Sequence, residues 1–493
     1  MYNTINPNIL RKAGDYLLSD ITLISYQSTE GSSRPKKISI RDSIGEFNIY
    51  ESIHSKTLSG DVSLADSQNI IKNLPLTGFE RIEFTFYTPS SPRGFNFSEK
   101  TGFPMYVYKI SNRQEGTPGT QIYSLHFASK EFIRNEQVKC SQAFSNTFDN
   151  VVIELLRNQS YLDSKKDLFV EETKGTHKYV APRQRPFAVI NYLTKNSRSK
   201  AFDNAGMYFY ETANGFNFKS IESMLATTNH IARPVVAKFV SKPQNIEVDP
   251  GVVSKMQIAE NVSIISQFDS LKNTRNGAYA SRILIHDLFS KEFKEIDFDY
   301  HTEFEKSFHT EHDGTGGKNK RNYALPLFPD NNNKFVSDNA EGTLYYQSST
   351  TKLHEKLEPP LSEFILQKAM AQRSMLNSMK ISLEVPGFTG LSAGDLIAYE
   401  MPNYEPQDTK DALAFDPYMS GRYIVESIRH QFNVGRDKHM MFLECIKDTV
   451  RLPYPVENVS TTVTADKEPQ NVLQSKLDEA LIQETTRSSV YKI

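Results

Sequence analysis

The sequence predicts a mainly β fold with an α+β insertion. Three observations carry this: runs of alternating apolar and polar residues toward both ends of the chain, turn residues between those runs, and a switch to a helical period near Lys139. At 493 residues there is room for about two to four domains, each able to bury its own core.

Between residues 20 and 138, candidate strands fall at 21–26, 36–41, 46–51, 61–64, 81–87, 105–111 and 121–127. Ile82, Phe84 and Phe86 alternate with Arg81, Glu83 and Thr85, which gives that strand one apolar and one polar face. The Gly/Pro-rich stretch 90–104 is expected to be a surface loop. Residues 139–230 read as α+β. Phe144, Phe148, Val151, Val152, Leu155 and Leu156 share a helical face. Pro186 suits the first turn of a second helix. Asn214-Gly215 then joins 207–211 to 216–219 in a hairpin. Residues 231–300 are extended again, with strands at 282–285 and 294–298. Residues 301–377 form a polar, irregular insertion that ends in a helix over 362–377.

The stretch 378–448 is the clearest. Met379, Ile381, Leu383 and Val385 alternate with Lys380, Ser382 and Glu384. Pro386-Gly387 and Gly390 turn the chain, Leu396-Ile397 opens another strand, and Gly435 joins strands at 423–432 and 440–446. Four short strands with tight turns describe a small antiparallel β-barrel that carries no sign of an active site. Residues 451–493 read as a linker and a short amphipathic helix, in which Leu473, Leu477 and Leu481 recur every fourth position. Such a helix is marginal alone in water, so it is expected to order against a partner.

The formal net charge of -2 argues against a general nucleic-acid or anionic-membrane binder, which needs a basic excess. No apolar run approaches the ~20 residues of a membrane span, and the first residues lack the apolar core of a signal peptide. The chain is expected to be made in a reducing cytoplasm and to remain soluble or assemble there. Cys140 and Cys445 are too sparse for a disulfide framework, and Cys445 falls in an apolar strand as a buried free thiol. His301, His309, His312 and Asp313 could in principle hold a transition metal. Their spacing matches no established ligand pattern, so solvated histidines in a polar loop are expected. The glycines of 313–317 lack the Lys-Ser/Thr of a phosphate loop. There is no Gly-x-Ser-x-Gly elbow, and no carboxylate stands in an apolar setting that would raise its pKa.

Several segments, taken in order, resemble the central baseplate hub protein of contractile-tailed bacteriophages of the T-even type, a family related to the hub part of VgrG-like injection spikes. GMYFYETANGFNFKSIESML (206–225) resembles that family's middle domain, and 276–298 its entry into a second tube domain. Leu391-Ser392-Ala393-Gly394-Asp395-Leu396-Ile397, with Tyr423-Ile424-Val425 and Ile428-Arg429-His430, matches the second tube domain itself. IRDSIGEFNIYESIHSK (40–56) is similar to the first.

The resemblance implies an N-terminal arm (1–19), a first β-barrel tube domain (20–138), an outer α+β domain (139–230) and a second tube domain (231–300 with 378–450). It implies a homotrimer in which six barrels form a pseudo-sixfold ring. One face of that ring would meet the hexameric tail tube protein and the other the trimeric central spike protein, with other baseplate proteins around it. Phage DNA would pass through without specific binding. The resemblance implies no catalytic residue, no cofactor and no membrane anchor, and a place in the virion tail baseplate after assembly in the host cytoplasm. Lys380, Ser382 and Glu384 then become candidate lumen or interface residues, and Leu473, Leu477 and Leu481 a partner-binding stripe. A tail-associated cell-wall hydrolase with its site in the 301–377 insertion, or a carbohydrate-binding adhesin, remains the alternative.

Overall fold

The computed structural model describes residues 10–19, 21–28, 35–74, 76–89, 91, 93–229, 231–242, 255–288, 290–304, 306–311, 323–324, 336–349, 362–403 and 415–451. Strands outnumber helices throughout, and most belong to one large sheet. Its path runs from Ile258–Ala259 through Ala237–Ser241, Leu396–Glu400 and Gly421–Asn433 to Ile44–Ser52. From there it continues through Ser59–Asp66, Gln121–Ser129, Met105–Glu115, Arg81–Tyr87 and Thr22–Ser28 to Pro35–Ser39. Lys438–Lys447, Met379–Pro386 and Asn261–Ser266 extend it from the other edge of Gly421–Asn433. Among the described residues no sheet closes by unbroken strand pairing.

The long strand Gly421–Asn433 is the seam between the two β regions. It pairs antiparallel with Ile44–Ser52, from Ser427 opposite Ser52 to Asn433 opposite Glu46. The regions therefore share backbone hydrogen bonds and cannot separate without breaking a ladder. Each side keeps its own apolar core. On the first, Phe47 stacks on Phe127 at 5.4 Å between ring centroids and meets Phe84 edge-on at 4.7 Å. On the second, Ile381, Leu383 and Val385 pack with Val425, Leu443 and Cys445. Phe432, near the end of the seam strand, belongs to the first core.

His430 and His439 lie inside this seam with no exposure, Nδ1 of the first 3.2 Å from Nε2 of the second. Burial pushes the His430 pKa down to about 3, and burial together with His430 pushes His439 well below the usual imidazole range. Both stay neutral in the folded chain, whereas in the unfolded chain they protonate near pH 6.5. Their contribution is therefore present at pH 7 and is lost as pH falls from about 6.5 toward about 3. Unfolding free energies measured between pH 7 and pH 5 should fall by about 1 kcal/mol per pH unit for each histidine. A His430→Gln, His439→Gln variant should flatten that slope; an unchanged slope would contradict the assignment.

The hairpin expected around Asn214-Gly215 forms from Met207–Thr212 and Gly215–Ser220. Gly215 sits at φ +136, and a Cβ there would collide with the Asp167 carbonyl, so glycine is required. The hairpin is buried on both faces. Met207, Phe209, Phe216 and Phe218 enter the core of helices Phe148–Arg157 and Pro186–Asn196, while Tyr208 and Tyr210 face Leu396 and Ile424.

Three local expectations are corrected. Phe144 belongs to strand Cys140–Asn146, paired with His177–Gln184, and the helix starts only at Phe148. Its four-residue spacing from Phe148 imitated a helical face. An unforeseen helix, Lys130–Gln137, lies just before it. The stretch 90–104 is no plain surface loop: it contains strand Gly94–Phe97, whose Phe95 and Phe97 are buried against Phe86 and Phe84. Finally, strands Ala280–Asp287 and Phe293–Asp299 join a separate sheet, completed in parallel by Leu344–Ser349.

Candidate functional site

The alternation on Met379–Pro386 is repeated in register on its neighbours. Ser382 stands opposite Glu444, Glu444 opposite Ser427, and Ser427 opposite Ser52. The next row runs Glu384, Phe442, Arg429, Tyr50, Ser59. A third runs Gln431, Asn48, Asp61, His126. Positions between these rows, such as Ile381, Leu383, Leu443, Ile428, Ile49 and Val62, are buried on the other side. The sheet thus has one covered apolar face and one polar face that crosses both β regions without a break.

The polar face is internally bonded. Lys380 Nζ lies 2.6 Å from Glu426 and 2.7 Å from Glu444. Arg429 reaches Glu46 at 2.9 Å and donates through Nε to Asn48 at 3.0 Å. Asn48 donates to Glu46 and Asp61, and the Tyr50 hydroxyl donates to Asp61 at 2.6 Å. Partial burial would raise the Glu46 pKa, but hydrogen bonds from Gln431 and Asn48 and the Arg429 charge outweigh it and hold it low. Burial likewise opposes ionisation of Glu426, and His54 and Lys380 overcome it. These carboxylates stay charged at neutral pH. Five carboxylates, Glu46, Asp61, Glu384, Glu426 and Glu444, meet four cations, Lys109, Lys380, Arg429 and Lys438, so the face is a stiff surface of nearly balanced charge. Lys380, Ser382 and Glu384 are all half-buried within it.

Behind this face, Glu51 ties three segments together. Its carboxylate accepts the backbone N–H of Ala213 in the hairpin turn at 2.9 Å and that of Ala393 at 3.1 Å. Burial raises its pKa to about 7, and burial does the same for Glu222. Both correct the expectation that no carboxylate sits in an apolar setting. Glu51 has Tyr50 and Ser52 as sequence neighbours; its burial comes from partners 162 and 342 residues away, which no local pattern reveals.

His309 corrects a second expectation, because it is buried rather than solvated. Its Nδ1 donates to Asp448 at 2.7 Å and its Nε2 to the Phe304 carbonyl at 2.8 Å. Thr310 donates to the same carboxylate through its N–H and hydroxyl. Two acceptors for two ring nitrogens describe an imidazolium. Burial opposes that charge, and Asp448 overcomes the opposition and raises the His309 pKa. The pair pins the start of the 301–377 insertion to the end of the second β region. His301 is exposed, and His312 and Asp313 lie outside the described residues, as do Leu473, Leu477 and Leu481. Among the described residues no three His, Cys, Asp or Glu side chains are grouped to hold a metal. Cys140 and Cys445 are both buried free thiols. No described helix is long and apolar enough to cross a membrane.

No protein-family model matches the chain. The probable baseplate hub protein gp334 of Vibrio phage KVP40 is 22% identical over 409 residues, which cover 80% of this chain and 87% of that protein. In class, the chain is thus similar to a phage baseplate hub protein. More particularly, it resembles the baseplate hub, the same family that segments 40–56, 206–225 and 391–430 indicate. Among solved structures, the tail protein from Neisseria meningitidis MC58 superposes with a TM-score of 0.47 at 8% identity, over 88% of this chain and 97% of that one. The 43 kDa tail protein of prophage MuSo2 from Shewanella oneidensis gives 0.46 at 8% identity, over 87% and 98%.

Proposed function

We propose that the chain is the hub at the tip of a contractile tail, a homotrimer that joins the hexameric tail tube to the trimeric central spike. In this role the two β regions are tube domains, three chains supply six wall units, and the α+β segment sits on the outside. The observation that carries the proposal is the single polar sheet face, in register across both β regions and backed by apolar cores. A ring wall needs such a surface: one side facing a wet channel, the other holding the fold together.

Strand geometry supports a barrel-like second unit. Ile258–Ala259 pairs with Ala237–Ser241, and Asn261–Ser266, one residue further on, pairs with Met379–Pro386. A bend at Glu260 thereby links the two ends of a six-strand circuit. The lack of a basic excess on the polar face supports passage of DNA without capture, since Lys380, Arg429 and Lys438 are already paired with fixed carboxylates. Function then consists of symmetry matching and release, and the chemistry of bond cleavage plays no part. The natural location is the virion baseplate, among other baseplate proteins.

Charge reversal on the face tests this. A Ser382→Lys, Glu384→Lys variant should fold and assemble, because both side chains are only half-buried. Its particles should release DNA about tenfold more slowly at low salt and recover as salt screens the added cations. Unchanged release kinetics at low salt would remove this face from the channel wall.

A further inference from the structure

We propose that the cleft between the hairpin, the 391–396 loop and the first β region binds a small organic anion bearing phosphate or carboxylate groups. The cleft has a volume of about 460 Å³, the size of a small-molecule site. Arg93, Lys219 and Arg233 all line it, each from a different segment. All three act electrostatically on the buried Asp395 carboxylate, which places them around one point. Among the described residues none of the three forms an ion pair, and against Asp167 and Asp395 they leave the cleft net positive.

Lys219 is the informative member. Its ammonium lies over the Phe169 ring, 5.3 Å from the centroid. Burial, and then Arg233, push its pKa down to about 8. A half-buried ammonium beside an arginine, acted on by Asp395 and Glu171 but ion-paired to neither, is the electrostatic complement of an anion. A second, independent feature is the Tyr210 hydroxyl. Tyr210 is 2% exposed, lines the cleft, and donates to no partner among the described residues. Gly394, at φ +85, makes room for it, since a Cβ there would strike the Tyr210 oxygen. Tyr210 lines the cleft, and its hydroxyl is available to donate to an anion oxygen there. Phe169, Met224 and Leu396 offer apolar contact for the rest of the ligand.

Isothermal titration of the full chain with citrate and with pyrophosphate, at constant ionic strength, tests the proposal. One saturable site per chain is expected for at least one anion, and the tighter of the two identifies carboxylate or phosphate as the preferred group. An Arg93→Ala, Lys219→Met variant should bind at least tenfold more weakly, Tyr210→Phe several-fold more weakly, and Lys219→Arg should retain binding. Lys219→Gln alone serves if the double variant does not fold. No saturable binding of either anion, or equal binding by the charge-removed variants (an adventitious ion only), would overturn the proposal.

Discussion

Lys166→Met is expected to destabilise the chain by about 3–5 kcal/mol, the range for breaking one partner out of a buried ion network. The Lys166 ammonium has no solvent exposure and lies between Glu131 at 2.7 Å and Glu211. The faces of Phe103 and Phe216 flank it at 5.3 and 5.5 Å. Burial alone would lower the Lys166 pKa, but the charges and hydrogen bonds of Glu131 and Glu211 outweigh it and leave it raised. Glu211 also accepts from the Leu58 N–H at 2.9 Å and the Ser129 hydroxyl at 2.7 Å. One cation therefore holds helix Lys130–Gln137, the hairpin and the first β region in a single network. Methionine fills the space but strands two carboxylates in a site closed to solvent, and at least one must take up a proton. Chemical denaturation followed by circular dichroism measures the loss. Adding Glu211→Gln to Lys166→Met should recover part of it, and a shift below about 1 kcal/mol for Lys166→Met alone would show that the network does not hold the segments.

Asp448→Ala should have an effect of similar size, about 3–5 kcal/mol, because it leaves the His309 imidazolium buried and unpaired. It also removes the acceptor for the Thr310 N–H and hydroxyl. The pH dependence distinguishes this tether from the histidines at the seam. The folded-state pKa of His309 is raised, so its contribution is full below the unfolded value near 6.5 and is lost as pH rises through the folded value. Burial works against ionised Asp448, yet His309 and Thr310 leave its pKa lowered, so its contribution is full above about 4 and is lost as pH falls through the folded value. The tether is strongest between about pH 4 and pH 6.5. Hydrogen exchange across 300–311 should accelerate from pH 6 to pH 9 beyond the intrinsic base-catalysed increase, and His309→Gln should abolish the excess. No excess in the parent chain would contradict the ion pair.

What was legible in the sequence was what local periodicity encodes. The alternation in 379–385 gave strand Met379–Pro386 and its two faces, and Asn214-Gly215 gave the hairpin with its left-handed glycine. Long-range partners were hidden. Nothing near Asn48 announces that it stands opposite Gln431, so the seam that fuses the two β regions could not be seen. His309 sits in a polar run, and only Asp448, 139 residues away, makes it a core group. Glu211 did leave a trace: a carboxylate closing the apolar run Tyr208-Phe209-Tyr210 needs a buried counter-charge. Phe95 and Phe97 alternated too, in a run short enough to pass for loop.

In the proposed function the polar sheet face lines a ring. Electron cryo-microscopy of the purified chain, mixed with the spike and tube proteins of its own particle, tests it most directly. Three copies around one axis are expected, with Lys380, Ser382, Glu384, Arg429 and Asp61 turned toward the pore. A chain that stays monomeric with both partners present, or a ring whose polar face points outward, would contradict it.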